Sequence, residues 1–419
     1  MTDVVVIGAG AAGLAAAHKL SQAGARVEIL EARTRLGGRI HTVPSTDRFV
    51  PFELGAEFVH GTNHITWDFV RKGGFGVRKV LDEHWVYPPM CKQSEFWSSL
   101  ETCIAGVNFN TPDKSFDQFL RERPSPCADE GLVRLFVEGF DAADTRKISS
   151  HSLKKASEDE GQDSKARLER GEGALIVWLE TCSRNQGVGI QLNTRVRAIR
   201  WHAHDVEVVA DINGSEATWR APQVVITLPL GVLKANAVAF EPALPTETQS
   251  AIDGMEMGNV VKLVFEFDEA FWKHRLGAKN FGFIHSQFGP LRTWWSRPLA
   301  PILVGWVGGP QATEITDHIG VAERALKQLS DFAEVPLATV KTAMRQWRSH
   351  NWTADPLSEG AYSYVGVGNM DAPEKFRQPI DDTLFFAGEH TSDIANLGTV
   401  HGALQSGVRV AESVREMAF

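Results

Sequence analysis

The hydrophobic pattern of the first forty residues alternates between fully apolar runs and an alanine-rich segment. Val4 to Ile7 form one apolar run, residues 11–23 are alanine-rich, and residues 26–31 form a second strand-like run. Short apolar runs bounded by glycine are typical of buried parallel strands, whereas alanine favours helix. The pattern therefore predicts a β-α-β unit at the start of the chain.

The segment after this unit is polar and helix-prone. It covers residues 63–167, with breaks at 88–89 and 124–126 and a loop-like part at 157–165. We interpret it as an inserted cap. Strands are predicted next at 189–192, 196–199, 206–209 and 224–226. The last of these is fully apolar, which resembles a return to the first unit.

The remaining sequence predicts further strands between 257 and 364, a helix near 321–332, a strand near 340–347, a last strand at 383–386 and a closing helix. No internal repeat interrupts this order. The chain is longer than one ordinary core requires, so we expect two domains, each assembled from discontinuous segments.

Composition narrows the function classes. The 419 residues include 43 basic and 52 acidic side chains, which gives a net charge of −9. This balance argues against nucleic-acid binding, which requires clustered lysine and arginine, and mildly favours a cationic partner. The cysteines show no zinc-site or disulfide spacing, so we expect no metal and a reducing compartment. They are Cys91, Cys103, Cys127 and Cys182.

The N-terminal sequence predicts neither a signal peptide nor a membrane span. Met1 leads almost directly into the first strand, and the uncharged residues 4–17 are fewer than the ~20 apolar residues that a span needs. The C-terminus carries no hydrophobic tail or targeting tripeptide. We expect a soluble cytoplasmic protein.

Three glycines follow the first strand and open the first helix. Gly8 permits a tight turn, Gly10 lets the backbone approach a pyrophosphate, and Gly13 allows the helix to pack closely on the strand. Glu31 ends the next strand, where it can accept hydrogen bonds from ribose hydroxyls. The spacing indicates a dinucleotide site; the alternative is a glycine-rich turn that binds nothing.

A basic, glycine-containing segment directly follows Glu31. Gly37 and Gly38 leave space for a pyrophosphate, and Arg39 can neutralise it, as can the nearby Arg33. This segment resembles the extended signature of FAD-binding amine oxidases. The alternative is a solvated basic loop.

The C-terminal segment predicts a second contact with the same ligand. A buried strand stops at Gly388, Glu389 follows, and a helix begins near Thr399, a plausible N-cap, and Val400. The N-terminus of that helix would stabilise negative charge on a flavin ring. The alternative is a helix that only covers the core.

With these motifs, the chain resembles the flavin-containing amine oxidase family, the group of polyamine oxidases, monoamine oxidases and histone demethylases, over nearly its whole length. The resemblance implies an α/β amine oxidase fold: a doubly wound, Rossmann-type FAD domain (1–74, 167–244 and 366–419) and a mixed-sheet α+β substrate domain (75–166 and 245–365). It implies FAD contacts from Gly8, Gly10, Gly13, Glu31, Arg33, Gly38, Arg39, Gly55, Ala56, Glu57, Val196, Gly388, Glu389, Thr399 and Val400.

Lys262 is the residue on which pattern and resemblance disagree. It lies in an alternating strand-like run at 259–267, and spacing alone predicts a lysine that faces solvent. By resemblance, Lys262 occupies the position of the lysine that holds a water against flavin N5. We therefore predict a catalytic role in reoxidation by oxygen.

The resemblance also implies three aromatic residues around the reaction centre. Trp352 and Tyr362 match positions that form aromatic walls beside the flavin, and His60 resembles a substrate-side histidine. Core packing of Trp352 and a purely structural role for His60 are the alternatives. Monoamine oxidases carry a flavin-linked cysteine where this chain has Ala361, and Thr399 replaces a second wall tyrosine. The resemblance thus implies non-covalent FAD.

The resulting hypothesis is an FAD-dependent oxidase. A polyamine or other aliphatic amine would be oxidised to an imine, with O2 as acceptor. The alternatives are a monoamine oxidase, an L-amino acid oxidase and a non-catalytic binding protein on the same fold. An L-amino acid substrate would need an arginine clamp for its carboxylate. Candidates for such a clamp are Arg146, Arg292, Arg297 and Arg348.

Overall fold

A computed structural model describes residues 2–45, 50–62, 64–123, 129–158, 165–276 and 281–418. Its strands, in chain order, are β1 (Val4–Ile7), β2 (Val27–Leu30), β3 (Thr42–Val43), β4 (Phe52–Glu53), β5 (Val59–His60), β6 (Val77–Lys79), β7 (His84–Tyr87), β8 (Cys91–Gln93), β9 (Lys165–Leu168), β10 (Gly189–Gln191), β11 (Thr194–His202), β12 (Asp205–Ile212), β13 (Ser215–Ala221), β14 (Gln223–Ile226), β15 (Ala239–Glu241), β16 (Met255–Met257), β17 (Val260–Phe267), β18 (Phe283–Ser286), β19 (Thr293–Arg297), β20 (Ile302–Gly308), β21 (Met344–Asn351), β22 (Ser363–Val365) and β23 (Leu384–Phe386).

The α-helices of the described residues are α1 (Ala11–Gln22), α2 (His64–Gly73), α3 (Phe96–Ala105), α4 (Phe116–Glu122), α5 (Glu130–Phe140), α6 (Ser150–Ser157), α7 (Gly173–Asn185), α8 (Leu230–Lys234), α9 (Thr246–Gly254), α10 (Lys273–Leu276), α11 (His318–Ala333), α12 (Leu337–Ala343), α13 (Ala372–Phe376) and α14 (Val400–Ala418).

The first layer is a parallel sheet of five strands in the order β10-β2-β1-β14-β23. Its central strand β1 is buried on both faces, as its uninterrupted apolar sequence predicts. Helices α1, α7 and α14 pack on one face. The four-stranded sheet β13-β12-β11-β15 covers the other. The chain therefore returns to its first sheet at β14 and again at β23.

The second layer is a mixed sheet of seven strands in the order β21-β17-β20-β19-β18-β7-β8. Strand β17 lies between β21 and β20, and all eight of its residues are buried. One face packs against α11 through Val261, Leu263 and Phe265. The opposite face turns toward the first layer, so residues such as Lys262 lie between the two sheets. The predicted α/β fold with a second mixed sheet is confirmed; its exact domain boundaries stay a prediction.

Two sequence predictions are corrected. The strand expected near 340–347 begins only at Met344, because Pro336 starts helix α12 and Val340 is buried on that helix. The helical cap also contains strands: β7 pairs with β18, about two hundred residues away, so its strand conformation depends on a distant partner rather than on the local pattern. The predicted breaks at 124–126 and most of 157–165 lie outside the described residues.

One cysteine prediction is also wrong. Cys103 is disulfide-bonded, whereas Cys91 and Cys182 are free. Sequence spacing could not show this pairing, because a disulfide requires closeness in space rather than along the chain. Within the described ranges, no helix combines the length and apolarity needed to cross a bilayer. No cluster of three or more metal-ligating side chains appears in the same ranges.

Candidate functional site

A cavity of about 520 Å³ joins the two layers. Its wall includes the turn between β1 and α1, strand β17, the segment before β22 and the start of α14. The volume lies within the usual range for ligand pockets, roughly 300–1,000 Å³. Segments that are far apart in the sequence therefore form one site.

The glycine turn is built for close backbone approach. Gly8 has a φ of 102°, a conformation that favours glycine, and a Cβ at Gly13 would lie 2.0 Å from the Gly8 carbonyl oxygen. Helix α1 begins after Gly10, which offers no side chain to cap the first N–H groups. These groups and Gly10 line the cavity. The turn thus offers free donors and a positive helix end to a diphosphate.

The carboxylate of Glu31 closes this end of the cavity. Its two oxygens accept hydrogen bonds from the backbone N–H groups of Ala9 and Arg33, both at 2.8 Å. Burial raises the pKa of Glu31, and these two backbone bonds oppose the rise. The predicted ribose-binding residue is therefore held at the cavity wall by the turn itself.

The basic segment is not a solvated loop. Arg33 donates to Asp355 at 2.9 Å and to Ser358 at 3.0 Å. Arg39 donates to the Ala361 carbonyl at 2.7 Å. The side chain of Arg33 is 14% exposed. These bonds tie the N-terminal loop to the segment before β22.

Glu389 connects both ends of the chain at the cavity. One oxygen accepts from Arg39 at 2.8 Å, and the other accepts from the Ser363 hydroxyl at 2.6 Å and the Gly398 N–H at 2.9 Å. Burial raises the pKa of Glu389, but Arg39, His390 and the hydrogen bond from Ser363 together outweigh burial, and the net pKa is lowered. The carboxylate is therefore charged and fixed. Thr399 accepts from the Gly402 N–H at 3.0 Å, which confirms its N-cap role.

Lys262 is buried, with 1% of its side chain exposed, so the solvent-facing position expected from spacing alone is wrong. Its ammonium group donates to the Gly55 carbonyl at 3.0 Å and to Glu57 at 2.8 Å. Both faces of β17 are covered by other elements, and alternation along a strand cannot show this. Lys262 lines the cavity.

Glu57 is the centre of a buried ion cluster. Its Oε2 accepts from Lys262, while its Oε1 accepts from Arg167 at 2.8 Å, Arg297 at 2.9 Å and Trp295 at 3.0 Å. Burial raises the pKa of Glu57, but the three cations outweigh it and hold the pKa well below its ordinary value. Glu57 also lines the cavity, so its predicted cofactor contact stays a prediction; its carboxylate is bound to these donors. Arg167 and Arg297 carried no sequence motif that could reveal this.

Trp352 and Tyr362 share one small apolar cluster with Val260, Ala142 and Ala361. The Trp352 indole donates to the Leu54 carbonyl at 2.9 Å, and the Tyr362 hydroxyl donates to the Phe140 carbonyl at 2.5 Å. Both rings also line the cavity. Each ring therefore packs in the core and forms part of the cavity wall. The bonds fix the orientation of each ring.

His60 lies on another part of the same wall. Its ring contacts Phe58 and Phe140, each with 6.0 Å between ring centres. Burial, followed by the charge of Lys165, lowers the pKa of His60 to about 3. The imidazole is therefore neutral at physiological pH.

Gly13 does not line the cavity, but the remaining predicted cofactor residues do. These are Gly38, Gly55, Ala56, Val196, Gly388 and Val400. The structure adds charged wall residues that sequence reasoning missed, among them Asp141 and Lys165. No motif identifies either one, because each reaches the cavity only through the packing of the cap segment.

Comparison with known proteins was made on both sequence and structure. A family model described as flavin-containing amine oxidoreductase matches residues 108–415, and one for an NAD(P)-binding Rossmann-like domain matches residues 6–72. Polyamine oxidase 3 of Oryza sativa subsp. japonica is 30% identical over 99% of this chain and 89% of that protein. Polyamine oxidase 2 of Arabidopsis thaliana is 29% identical over 99% and 88%.

Solved structures share the whole architecture. Cyclohexylamine oxidase from Brevibacterium oxydans IH-35A superposes with a TM-score of 0.82 at 22% identity, covering 99% of both chains. A wild-type putrescine oxidase bound to putrescine gives the same TM-score at 17% identity, also covering 99% of both chains. At these identities the likeness shows the fold.

Proposed function

The chain belongs to the flavin-containing amine oxidoreductase family, with FAD as its cofactor, and from this premise we propose that it oxidises a polyamine or another aliphatic amine to an imine. One observation carries the proposal: a single cavity is lined by the dinucleotide turn, the buried Lys262 and the aromatic residues Trp352 and Tyr362. A cofactor and a small substrate can meet there while shielded from bulk water.

The residues that would hold FAD fit a dinucleotide. The open glycine turn and the uncapped first N–H groups of α1 suit the diphosphate, Glu31 suits the adenosine ribose, and the start of α14 suits the ring. FAD held by these residues would supply the redox chemistry, with its N5 as the acceptor of the hydride from the substrate α-carbon. The imine product would hydrolyse to an aldehyde, and O2 would be reduced to hydrogen peroxide.

The protein contributes orientation and exclusion of water. Trp352 and Tyr362, fixed by their backbone hydrogen bonds, would align the neutral amine at the reactive face. Lys262 would orient a water and assist reoxidation through its charge. His60 is neutral, so it can exchange hydrogen bonds with a substrate nitrogen without repelling an ammonium group elsewhere on the substrate.

The amino acid alternative finds no support at the suggested clamp positions. Arg297 is paired with Glu57, and Arg146 is paired with Asp144 on an exposed loop. Neither these two nor Arg292 and Arg348 line the cavity. An α-carboxylate would therefore lack the proposed partner, which favours amines without that group.

Anaerobic mixing tests the proposal. Purified protein is combined with polyamines, monoamines and amino acids, and the flavin band at about 450 nm is followed. Bleaching by polyamines or aliphatic amines, with peroxide formed when air returns, is the expected result. Bleaching only by amino acids would contradict the substrate class. A colourless protein that cannot be reconstituted with FAD would instead support a binding function.

Two further parts of the proposal have their own tests. Ala361 stands where a cysteine would be needed for a covalent link, so acid precipitation should release all of the flavin into solution. The cytoplasmic location expected from the sequence should appear as activity in the soluble cytoplasmic fraction. Flavin in the pellet or activity outside that fraction would correct these points.

A further inference from the structure

We propose that His350 is a positioning residue for the aromatic wall: anchored by Asp355, its ring sets the plane of the Trp352 ring beside the substrate. The inference rests on the proposed amine oxidation, in which Trp352 aligns the amine. It assigns a role to a histidine behind the wall that no sequence motif identifies. It also makes Asp355 a shared anchor of the wall and of the cofactor end of the cavity.

Two hydrogen bonds hold Trp352 but leave the plane of its ring free. Its backbone N–H donates to the Val260 carbonyl at 3.0 Å, and its indole N–H donates to the Leu54 carbonyl at 2.9 Å. The ring can still tilt about the line between these two bonds, because the outer torsion of a tryptophan side chain has a broad range. A contact on the face of the ring is therefore needed to fix its plane.

His350 supplies that contact. Its ring centre lies 3.9 Å from that of Trp352, with 47° between the ring planes. Residues two apart on an extended chain share a face, so both side chains point to the same side. His350 is also paired in register with Lys262 across β21 and β17. Trp352 lines the cavity and His350 does not, so the imidazole supports the indole from behind the wall.

The buried carboxylate of Asp355 fixes the imidazole. His350 Nε2 lies 2.9 Å from Asp355 Oδ2. Burial raises the pKa of Asp355, but the hydrogen bonds from His350, Arg33 and a backbone N–H, with the charge of Arg33, outweigh burial and the net pKa is lowered. The carboxylate is therefore charged and can only accept, so His350 Nε2 donates. The His41 ring meets the His350 ring at 90°, with 5.5 Å between centres, and further limits its rotation.

Asp355 also bonds to the cofactor end of the cavity. Its Oδ1 accepts from the Arg33 side chain at 2.9 Å, and the backbone N–H of Arg33 donates to Glu31 at 2.8 Å. A path of direct contacts therefore runs from the predicted ribose-binding carboxylate to the Trp352 ring. Loss of the Asp355 charge should loosen both ends of this path, whereas loss of the His350 imidazole should loosen only the wall.

The first test measures anaerobic flavin reduction in the holoenzyme by the amine that bleaches the wild type fastest. His350→Leu removes the bond to Asp355, and the rate constant should fall at least about fivefold with flavin content unchanged, because a tilted wall misaligns the amine. In a Trp352→Leu background, which has no ring to orient, His350→Leu should change the rate less than about twofold. His350→Gln keeps an N–H for Asp355 and should restore most of the rate. The control is His318→Leu, since His318 bonds to Ser349 on the opposite face of β21.

The second test needs no turnover and examines the shared anchor. Release of FAD from diluted holoenzyme is followed by the rise in flavin fluorescence. Asp355→Asn should release FAD at least about tenfold faster than the wild type, because Arg33 loses its charged partner, and His350→Leu should stay within about twofold. Equal release from Asp355→Asn and the wild type would overturn the shared anchor.

The outcomes separate the positioning role from the proposed function. An unchanged rate in His350→Leu, or the same slowing in the Trp352→Leu background, would overturn the role while leaving amine oxidation intact. If His350→Leu fails to fold, His350→Asn replaces it, because its amide is one methylene shorter than that of glutamine and falls short of Asp355. If no amine bleaches the flavin, the proposed function fails. The visible circular dichroism of the oxidised flavin then decides: a change caused by His350→Leu only when Trp352 is present supports the role, and any other result refutes it.

Discussion

Replacing Lys262 with methionine separates its chemical role from its structural role. Methionine has a similar length and no charge, so it fills the same buried space on β17. The change removes the donor to the Gly55 carbonyl and to Glu57 Oε2. Arg167 and Arg297 remain on Oε1, so Glu57 keeps two counter-charges.

The structure sets the size of both effects. In the described part of the chain, Glu57 Oε2 accepts from Lys262 alone, and an unsatisfied buried acceptor costs about 1–3 kcal/mol of stability. That loss leaves the fold and bound FAD in place. If Lys262 holds the water and charge that assist reoxidation, turnover should fall at least about tenfold, which corresponds to ~1.4 kcal/mol of barrier.

Stopped-flow absorbance near the flavin band measures the two half-reactions separately. Anaerobic reduction reports on amine oxidation, and mixing the reduced enzyme with oxygenated buffer reports on reoxidation. The control is Leu263→Met, a volume-conserving change on the opposite face of β17 that should leave both rates unchanged. A Lys262→Met enzyme with full flavin content and wild-type rates in both half-reactions would remove Lys262 from the mechanism.

Three further predictions follow from the buried groups. Glu57→Gln leaves three buried cations without their counter-charge and should lower the free energy of unfolding by about 3–5 kcal/mol in urea titrations, whereas the exposed pair lost in Glu169→Gln should cost about 1 kcal/mol or less. Gly13→Ala places a Cβ 2.0 Å from a carbonyl oxygen and should abolish flavin retention, measured as the flavin-to-protein ratio; Gly131→Ala, with its nearest contact at 3.5 Å, should retain flavin. Burial lowers the pKa of His285 from 6.5 to about 3, so the unfolded chain takes up the proton at higher pH than the folded chain, and stability should fall as pH drops below 6.5. In thermal unfolding, the melting temperature of His285→Gln should fall less steeply with decreasing pH than that of the wild type. An unchanged slope would contradict this assignment.

Local sequence determined the dinucleotide unit almost completely. The apolar run at β1, the glycines before α1 and the acidic end of β2 each require a specific backbone or packing arrangement, and these requirements act over a few residues. Helical spacing and Thr399 likewise located the start of α14. The resemblance to amine oxidases then identified Lys262, against the prediction from strand alternation.

Tertiary structure decided which charges the cavity contains. Glu57 meets Arg167 and Arg297 only because β9 and β19 converge on it from distant parts of the chain. Asp141 reaches the cavity because Trp306 and Tyr362 anchor the helix before it. Electrostatic partners depend on distance and burial rather than on sequence separation. The sequence by itself therefore determined the cofactor class, and only the packing of the two sheets and the cap decided which side chains are left for a substrate.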